Sequence, residues 1–409
     1  MYRISTANAY NRTIEQLGVR QSELAEQQVR LSTGKRVQKA SDDPVAATLA
    51  ETAQNRLSRV QADLRALEAS RTSLQQAESG LAESGELIQR VRDLLVTAGN
   101  ATFTDSERED VARQLEGLRE QMIEVANRTD SSGRTLYGGL GGAAVPFVDV
   151  YGPTGAGVQF EGQRGQPAAG NNALPQALDG DAIWMRVPQG NGSFTLSLPD
   201  TNTGGVSTSM GQVTDDALYT GGAYEVAFTD VGGVVQYSIT NTTDPLNPLP
   251  VAGHTGVVYE VGKTIAFDGL SFAMNGNPAA GDQIELAPVT GPTDIFSVVQ
   301  TAVDALRYGG TNESAHRTQA LARALTEVDA SHDRVLLARG RTGEWLNRAD
   351  SLDGLMENRS VDLKAEKSRL EDLDLVQGIS DFQMQQTALE AALKSYAQVQ
   401  RLSLFNSIG

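Results

Sequence analysis

Two stripes of apolar residues, one near each end of the chain, constrain its fold more than anything between them. Near the N-terminus Tyr10, Ile14, Leu17, Leu24 and Leu31 recur at alternating spacings of three and four, with Gln21 and Gln28 in the intervening slots. Near the C-terminus Ile379, Phe382, Leu389, Leu393 and Tyr396 repeat the pattern, with Gln386 and Gln400 as its polar members. This spacing lines one face of an α-helix and is the seam of a coiled coil. A lone amphipathic helix cannot bury its stripe, so the two ends are each other's nearest partners. The expectation is a chain that leaves as helix, makes an excursion and returns antiparallel.

Between the first stripe and a second one lies "RLSTGKRVQKASDDPVAATLA", residues 30–50. Gly34 supplies the left-handed residue that ends a helix, and Lys35 and Arg36 sit where the negative helix end favours cations. Asp43 caps the next helix with Pro44 in its tolerated first position, so the stretch reads as a corner between two rods. Asp42 and Asp43 read as capping carboxylates, because no further ligand cluster accompanies them as a metal would require. The second stripe, Leu57, Val60, Leu64, Leu67, Leu74, Leu81, Ile88 and Leu95, has Arg71, Glu78, Gly85 and Arg92 in its alternate slots. A helix from about Pro44 to about Thr97 would be roughly 80 Å long. Thr104 and Glu107 then form a capping-box pattern ahead of Val111, Leu115, Leu118, Met122 and Val125.

From about Gly138 to Pro292 glycine, proline, threonine and asparagine rise and period-two strands appear. "YEVAFTDVGGVVQYSIT" reads as a hairpin turning at Gly232 and Gly233, and "AIWMRVPQGNGSFTLSL" and "TIAFDGLSFAM" read the same way. Asp294 then caps a helix carrying Ile295, Phe296, Val299, Val303 and Leu306, stopped by a glycine pair, and from about Asn312 the chain reads helical almost to its end. The expected fold is mainly α with an inserted β domain: residues 1–42 with 360–409 as a terminal coiled coil, 43–140 with 293–359 as a helical rod, and 141–292 as the all-β insert.

Composition removes several classes of function. A net charge of −17 repels phosphate backbones and anionic lipid, so neither nucleic acid nor membrane is an expected partner. The chain has no cysteine, and hence no disulfide or thiolate chemistry. "MYRISTANAYNRTIEQLG" is too polar for a secretory signal, and no apolar run spans a bilayer. His254, His316 and His332 have neither metal nor triad spacing, "GGLGGAAVPF" lacks the flanking strand and helix of a phosphate cradle and reads as linker, and no Gly-x-Ser-x-Gly elbow occurs. Asp215, Asp216, Asp230 and Asp268 sit mostly at turns. The expectation is no enzyme and no cofactor. A competing reading makes the β insert a glycan-binding module, with Tyr151, Trp184, Tyr219 and Tyr224 as its aromatic platform.

Three stretches carry a family resemblance. "LSTGKRVQKASDDPVAAT" resembles the N-terminal signature of the flagellin superfamily, "GRTLYGG" resembles the turn that closes its N-terminal helical half, and "LNRADSL" with "KSRLEDLDLVQ" resembles its C-terminal signatures. They cover roughly the first 140 and last 115 residues. "MYRISTAN", "ASDDPVAA" and "LSLFNSIG" are similar to superfamily members of the hook–filament junction, with filament flagellin as the alternative.

The resemblance implies a structural subunit that assembles with itself into a ring or tubular lattice, beside a hook-associated protein and flagellin, with the β domain on the outside. It implies that the terminal helices are poorly ordered in the free subunit and pair inside the growing tube. It also implies an extracellular place on the flagellum, reached through the flagellar type III export apparatus without a cleaved signal. An export chaperone would cover part of residues 360–409, touching Phe382, Leu389, Leu393 and Tyr396.

Overall fold

We describe a computed structural model covering residues 6–100, 102–141, 143–150, 157–165, 174–309 and 313–408, with side chains between residues 11 and 398. Helices α1 (Thr6–Thr33), α2 (Pro44–Ala98) and α3 (Asp105–Ala126) precede a β-rich middle containing the short α4 (Gly180–Trp184). Helices α5 (Ile295–Arg307), α6 (Glu313–Glu371) and α7 (Leu375–Ile408) follow. The chain forms two compact units, Met1–Ala66 with Ser351–Gly409 and Leu67–Asp350, and α2 and α6 each supply residues to both.

In the first unit α1 packs along α7, and the opening turns of α2 pack along the last turns of α6. Leu57, Val60 and Leu363 are buried there against Leu64 and Met356, and Lys367 Nζ donates to Gln54 Oε1 at 2.6 Å. The stretch expected to be helical from about Asn312 almost to the chain's end is two helices, broken at Asp372–Asp374. There the chain leaves α6, and Asp374 starts α7 by accepting the amides of Val376 and Gln377 at 3.0 and 3.2 Å.

In the second unit the stripe Leu74, Leu81, Ile88 and Leu95 of α2 is fully buried. Its polar slots face α6, where Arg71 pairs with Asp350 at 3.2 Å, Glu78 with Arg339 at 2.8 Å and Arg92 with Asp329 at 2.7 Å. Partner numbers fall as α2 numbers rise, so the two helices run antiparallel. These pairs are half exposed, so each adds little stability, and their effect is to specify register. Thr104 and Glu107 close the capping box of α3, and Asp294 caps α5 through the Ser297 amide at 2.8 Å. α5 ends at Arg307 with Tyr308 as its C-cap; of the expected glycine stop, Gly310 lies outside the described residues.

Among the described residues the middle region holds three sheets. β1 (Phe147–Asp149) pairs with β2 (Val158–Phe160). β3 (Phe194–Ser197) borders a six-stranded sheet and β4 (Ser207–Thr208) and β5 (Gln212–Val213) pair with a separate hairpin. β6 (Tyr224–Val231) and β7 (Val234–Asn241) form the expected hairpin, with Val226 opposite Ile239 and Phe228 opposite Tyr237. Gly232 and Gly233 have φ of +67° and +86°, as a two-residue primed turn requires. β8 (Leu249–Pro250) and β9 (Val257–Val258) pair with β7, and β10 (Thr264–Phe267) and β11 (Leu270–Asn275) make the second hairpin. β12 (Gln283–Pro288) lies between β3 and β6. Phe194, Phe228, Phe272 and Ile284 are among the side chains of one shared core.

One strand expectation fails: Ala182, Ile183 and Trp184 are helical in α4. Asp179 caps that turn through the Ala182 amide, and Trp184 packs edge-on against Tyr137 at 4.7 Å. The segment read as linker is also packed, since Gly138 and Gly139 are buried and Leu140 N donates to the Gln163 carbonyl at 2.9 Å.

Candidate functional site: the corner between helical limbs

The stretch that opens at Gly34 is a joint between the two ends of the sequence. Gly34 has a φ of +67° and ends α1, after which the chain lies alongside residues 371–373. Arg36 N and Val37 N donate to the Glu371 carbonyl at 2.7 and 3.3 Å, and Leu373 N donates to the Gly34 carbonyl at 2.9 Å. Side chains reinforce the backbone. Lys35 Nζ reaches Glu371 at 2.9 Å, and Arg36 donates to the Leu370 carbonyl at 3.0 Å and to Asp43 at 3.4 Å. Val37 is buried beneath them. Each backbone bond is worth about 1 kcal/mol net, so the joint gains from their number and from Val37.

The acids shape the turn. Asp42 accepts the amides of Gln38 and Lys39, both at 3.0 Å, and these bonds hold its carboxyl below the usual carboxylate range. Asp43 accepts the Ala46 amide at 2.9 Å, so Pro44 opens α2 and the Asp43 carboxyl is likewise held low. The hydrogen bond and charge of Glu371 push the Lys35 amine up. Among the described residues no group of three or more His, Cys, Asp or Glu could hold a metal, and no helix is long and apolar enough to cross a membrane.

Along α1 and α7 the buried stripe and the apolar stripe share members and then part. Leu17, Leu24 and Leu31 are half-buried, as are Phe382, Leu389 and Tyr396. The intervening slots belong to residues displaced by one from those expected. On α7 they are Gly378, Gln385 and Ala392, while Ile379 and Leu393 are each 50% exposed. On α1, Gln27 is buried while Ile14, Gln21 and Gln28 are exposed; the Tyr10 and Gln400 side chains lie outside the described residues.

The reason for the shift is close approach. Gln27 Nε2 donates to the Gly378 carbonyl at 3.3 Å, and a Cβ on Gly378 would stand 2.8 Å from Leu373 and 3.2 Å from Leu31. A pattern search for apolar residues passes over a glycine and an alanine that fit because they are small. Gln27, Gly378, Glu371, Asp372 and Leu373 were the joint residues missed; "LEDLDLVQ" was the available signal, since it breaks the helix that the corner then meets.

The other chemical candidates are structural. Trp184 and Tyr224 belong to cores, and the Tyr219 hydroxyl donates to the Ser193 carbonyl at 3.0 Å, so these three do not form an exposed platform; Tyr151 lies outside the described residues. His254 lies against Tyr237 and Phe267, His332 bonds Gln89 at 3.4 Å, and His316 stacks near Tyr308. Asp215 and Asp230 accept turn amides and Asp268 accepts the Tyr224 hydroxyl.

Residues 4–141 match the bacterial flagellin N-terminal helical region. The chain is 26% identical to the flagellar hook-associated protein 3 of Escherichia coli (strain K12), over 98% of both chains. It is 21% identical to a flagellin of Clostridium tyrobutyricum over 95% of this chain and 96% of that one. The crystal structure of the flagellar junction protein FlgL from Legionella pneumophila superposes with a TM-score of 0.67 at 25% identity, covering 74% of this chain and 99% of that one. The shared features are helices at both ends and strands between. The chain is thus similar to the flagellin N-terminal helical region over its first third and to flagellar hook-associated protein 3 over nearly its whole length.

Proposed function

We propose that this chain is a structural subunit of the bacterial flagellum that polymerises at the junction of hook and filament, between a hook-associated protein and flagellin. The observation that carries the reading is the full-length match to hook-associated protein 3, stronger than the flagellin match of similar extent. The antiparallel limbs fit it: a subunit that presents long parallel-sided helices can repeat the same apolar contacts around a ring or tube, and needs no catalytic centre.

The assignment extends to three working parts, residues 1–42 with 360–409 as the terminal coiled coil, 43–140 with 293–359 as the rod and 141–292 as the outer β domain. Ile14, Ile379 and Leu393, turned away from the α1–α7 seam, are the residues that neighbouring subunits cover. Before assembly an export chaperone covers the same face of α7 as the chain leaves through the type III apparatus, ending outside the cell.

Immunogold electron microscopy of intact flagella with an antibody against residues 146–292 tests the placement. One band of gold where hook meets filament is the expected result. Label along the whole filament would make the chain a flagellin, and no label on the flagellum would overturn the reading.

A further inference from the structure

One cavity of the second unit is built unlike the rest of an acidic protein. It has a volume of about 350 Å³ and lies between α4 and α6, with Leu178, Ala182 and Ile183 on one wall and Leu337, Arg341 and Trp345 on the other. Arg334 is fixed at its edge, its Nε donating to the Ala182 carbonyl at 3.1 Å. Arg341 is exposed and has no carboxylate partner among the described residues, although Glu344 lies one turn away. Leu337 is 60% exposed beside it. The lining thus combines the Arg341 guanidinium, a half-buried tryptophan and an exposed leucine with one carboxylate, Asp179, which accepts the Gly165 and Ala182 amides.

The same unit carries a complementary ridge. On α3, Glu109 and Glu116 are occupied by Arg307 and Asp110 by Arg113, but Glu120 and Glu124 are exposed and pair with no cation among the described residues. They are one helical turn apart on one face, about 6 Å between Cβ atoms. In a chain of net charge −17, copies brought together repel unless carboxylates meet cations.

We propose that the α4–α6 groove receives the Glu120 and Glu124 ridge of a second copy of this chain, with Arg341 as its central cation. Groove and ridge are different surfaces, so the contact is heterologous and leaves one copy with a free ridge and the other with a free groove. Such a contact propagates into a ring or helical array. The inference rests on the assembly reading above and names one of its contacts.

The test uses the full chain, expressed in the source bacterium, with flagella isolated and treated with a short bis-maleimide. The chain has no cysteine, so Leu337→Cys combined with Gln121→Cys introduces its only thiols beside the contact and leaves Arg341, Glu120 and Glu124 in place. The double variant is expected to give a ladder of multimers, and neither single variant anything beyond a dimer. Adding Glu124→Arg to the double variant should keep less of the ladder than the wild-type Glu124. In an Arg341→Glu background, incorporation into flagella should fall about tenfold and be restored by Glu120→Arg with Glu124→Arg. Flagella that contain the double-cysteine protein but yield no ladder would overturn the contact while leaving the junction assignment standing. A chain absent from flagella even in wild-type form would overturn both.

Discussion

The amide of Leu373 donates to the carbonyl of Gly34 at 2.9 Å, so the residue that ends the first helix is held by the residue that separates the last two. The bond exists because Gly34 turns its backbone into the left-handed region at φ +67°. A Cβ added there would meet nothing within 4 Å, so the cost of a side chain is conformational alone.

Gly34→Ala should therefore weaken the joint by about 1–2 kcal/mol, a five- to thirtyfold loss of amide protection at Leu373 and Arg36. Gly34→Asn should lose less, because asparagine tolerates this conformation. Hydrogen exchange read by mass spectrometry over 30–40 and 368–376 checks it, and equal protection in wild type and Gly34→Ala would mean that the left-handed turn does not govern the joint.

A second contact explains why "GRTLYGG" sits where it does. Tyr137 is fully buried, its hydroxyl donates to the Ala77 carbonyl at 2.7 Å, and a Cβ on Gly80 would stand 2.3 Å from that hydroxyl. Gly80→Ala should destabilise the wild type by about 1–3 kcal/mol through overpacking. With Tyr137→Phe already present the nearest ring carbon is 3.4 Å away, so the same substitution should cost measurably less. A double-mutant cycle by urea denaturation reads the coupling; additive losses would show that the two residues do not share the constraint.

Much of this was legible in sequence because the relevant signals are local. The period of the α2 stripe, the capping box at Thr104, the two-glycine turn of the β6–β7 hairpin and the Gly34 to Pro44 corner each need only neighbours a few residues away. What was missed depends on contact at long range. Gly378 and Ala392 line the α7 seam because smallness permits approach, which an apolar count ignores. Trp184 lies in a helix because Asp179 caps it and Tyr137 packs on it, against a strand-like composition. The partners of Lys35 and Arg36 lie at the other end of the chain, beside a break at Asp372–Asp374 that has no glycine or proline to mark it.

The buried cation of the second unit was also invisible in sequence. Arg119 of α3 is 5% exposed, makes two bonds to Asp149 at 2.7 and 3.0 Å and donates to the Phe296 carbonyl at 3.1 Å, tying β1 and α5 to one side chain. Asp149→Ala removes the carboxylate that makes both of those bonds to a buried guanidinium and should cost about 3 kcal/mol or more. Arg119→Met, which removes the charge and keeps the volume, should cost less. Thermal unfolding of the full chain orders the two, and a milder effect for Asp149→Ala would refute the argument.

Seam geometry separates two leucines that look alike in sequence. Leu389 is half-buried toward the α1 side, whereas Leu393 is exposed. Leu389→Ala should lower the helix content of the free chain more than Leu393→Ala does, by circular dichroism. Leu393→Asp should leave helix content nearly unchanged yet abolish chaperone capture and assembly; retained capture in a pull-down with the purified chaperone would remove Leu393 from that interface.

The pH dependence of the joint follows from the direction of its shifts. Asp42 and Asp43 are held below their ordinary value by backbone amides, so their contribution is complete above about pH 4 and is lost as pH falls through their lowered values. Lys35 is raised by Glu371, so its contribution is complete below about pH 10 and is lost as pH rises through the raised value. Protection at Arg36 and Leu373, corrected for intrinsic exchange, should be level between about pH 5 and 9 and fall on both sides. Asp42→Asn keeps an oxygen to accept the Gln38 and Lys39 amides but no longer titrates, so it should flatten part of the acid limb and leave the alkaline limb alone. Lys35→Met should do the reverse. If both variants retain both limbs, the titrating groups lie elsewhere and the joint is held by its backbone bonds and Val37.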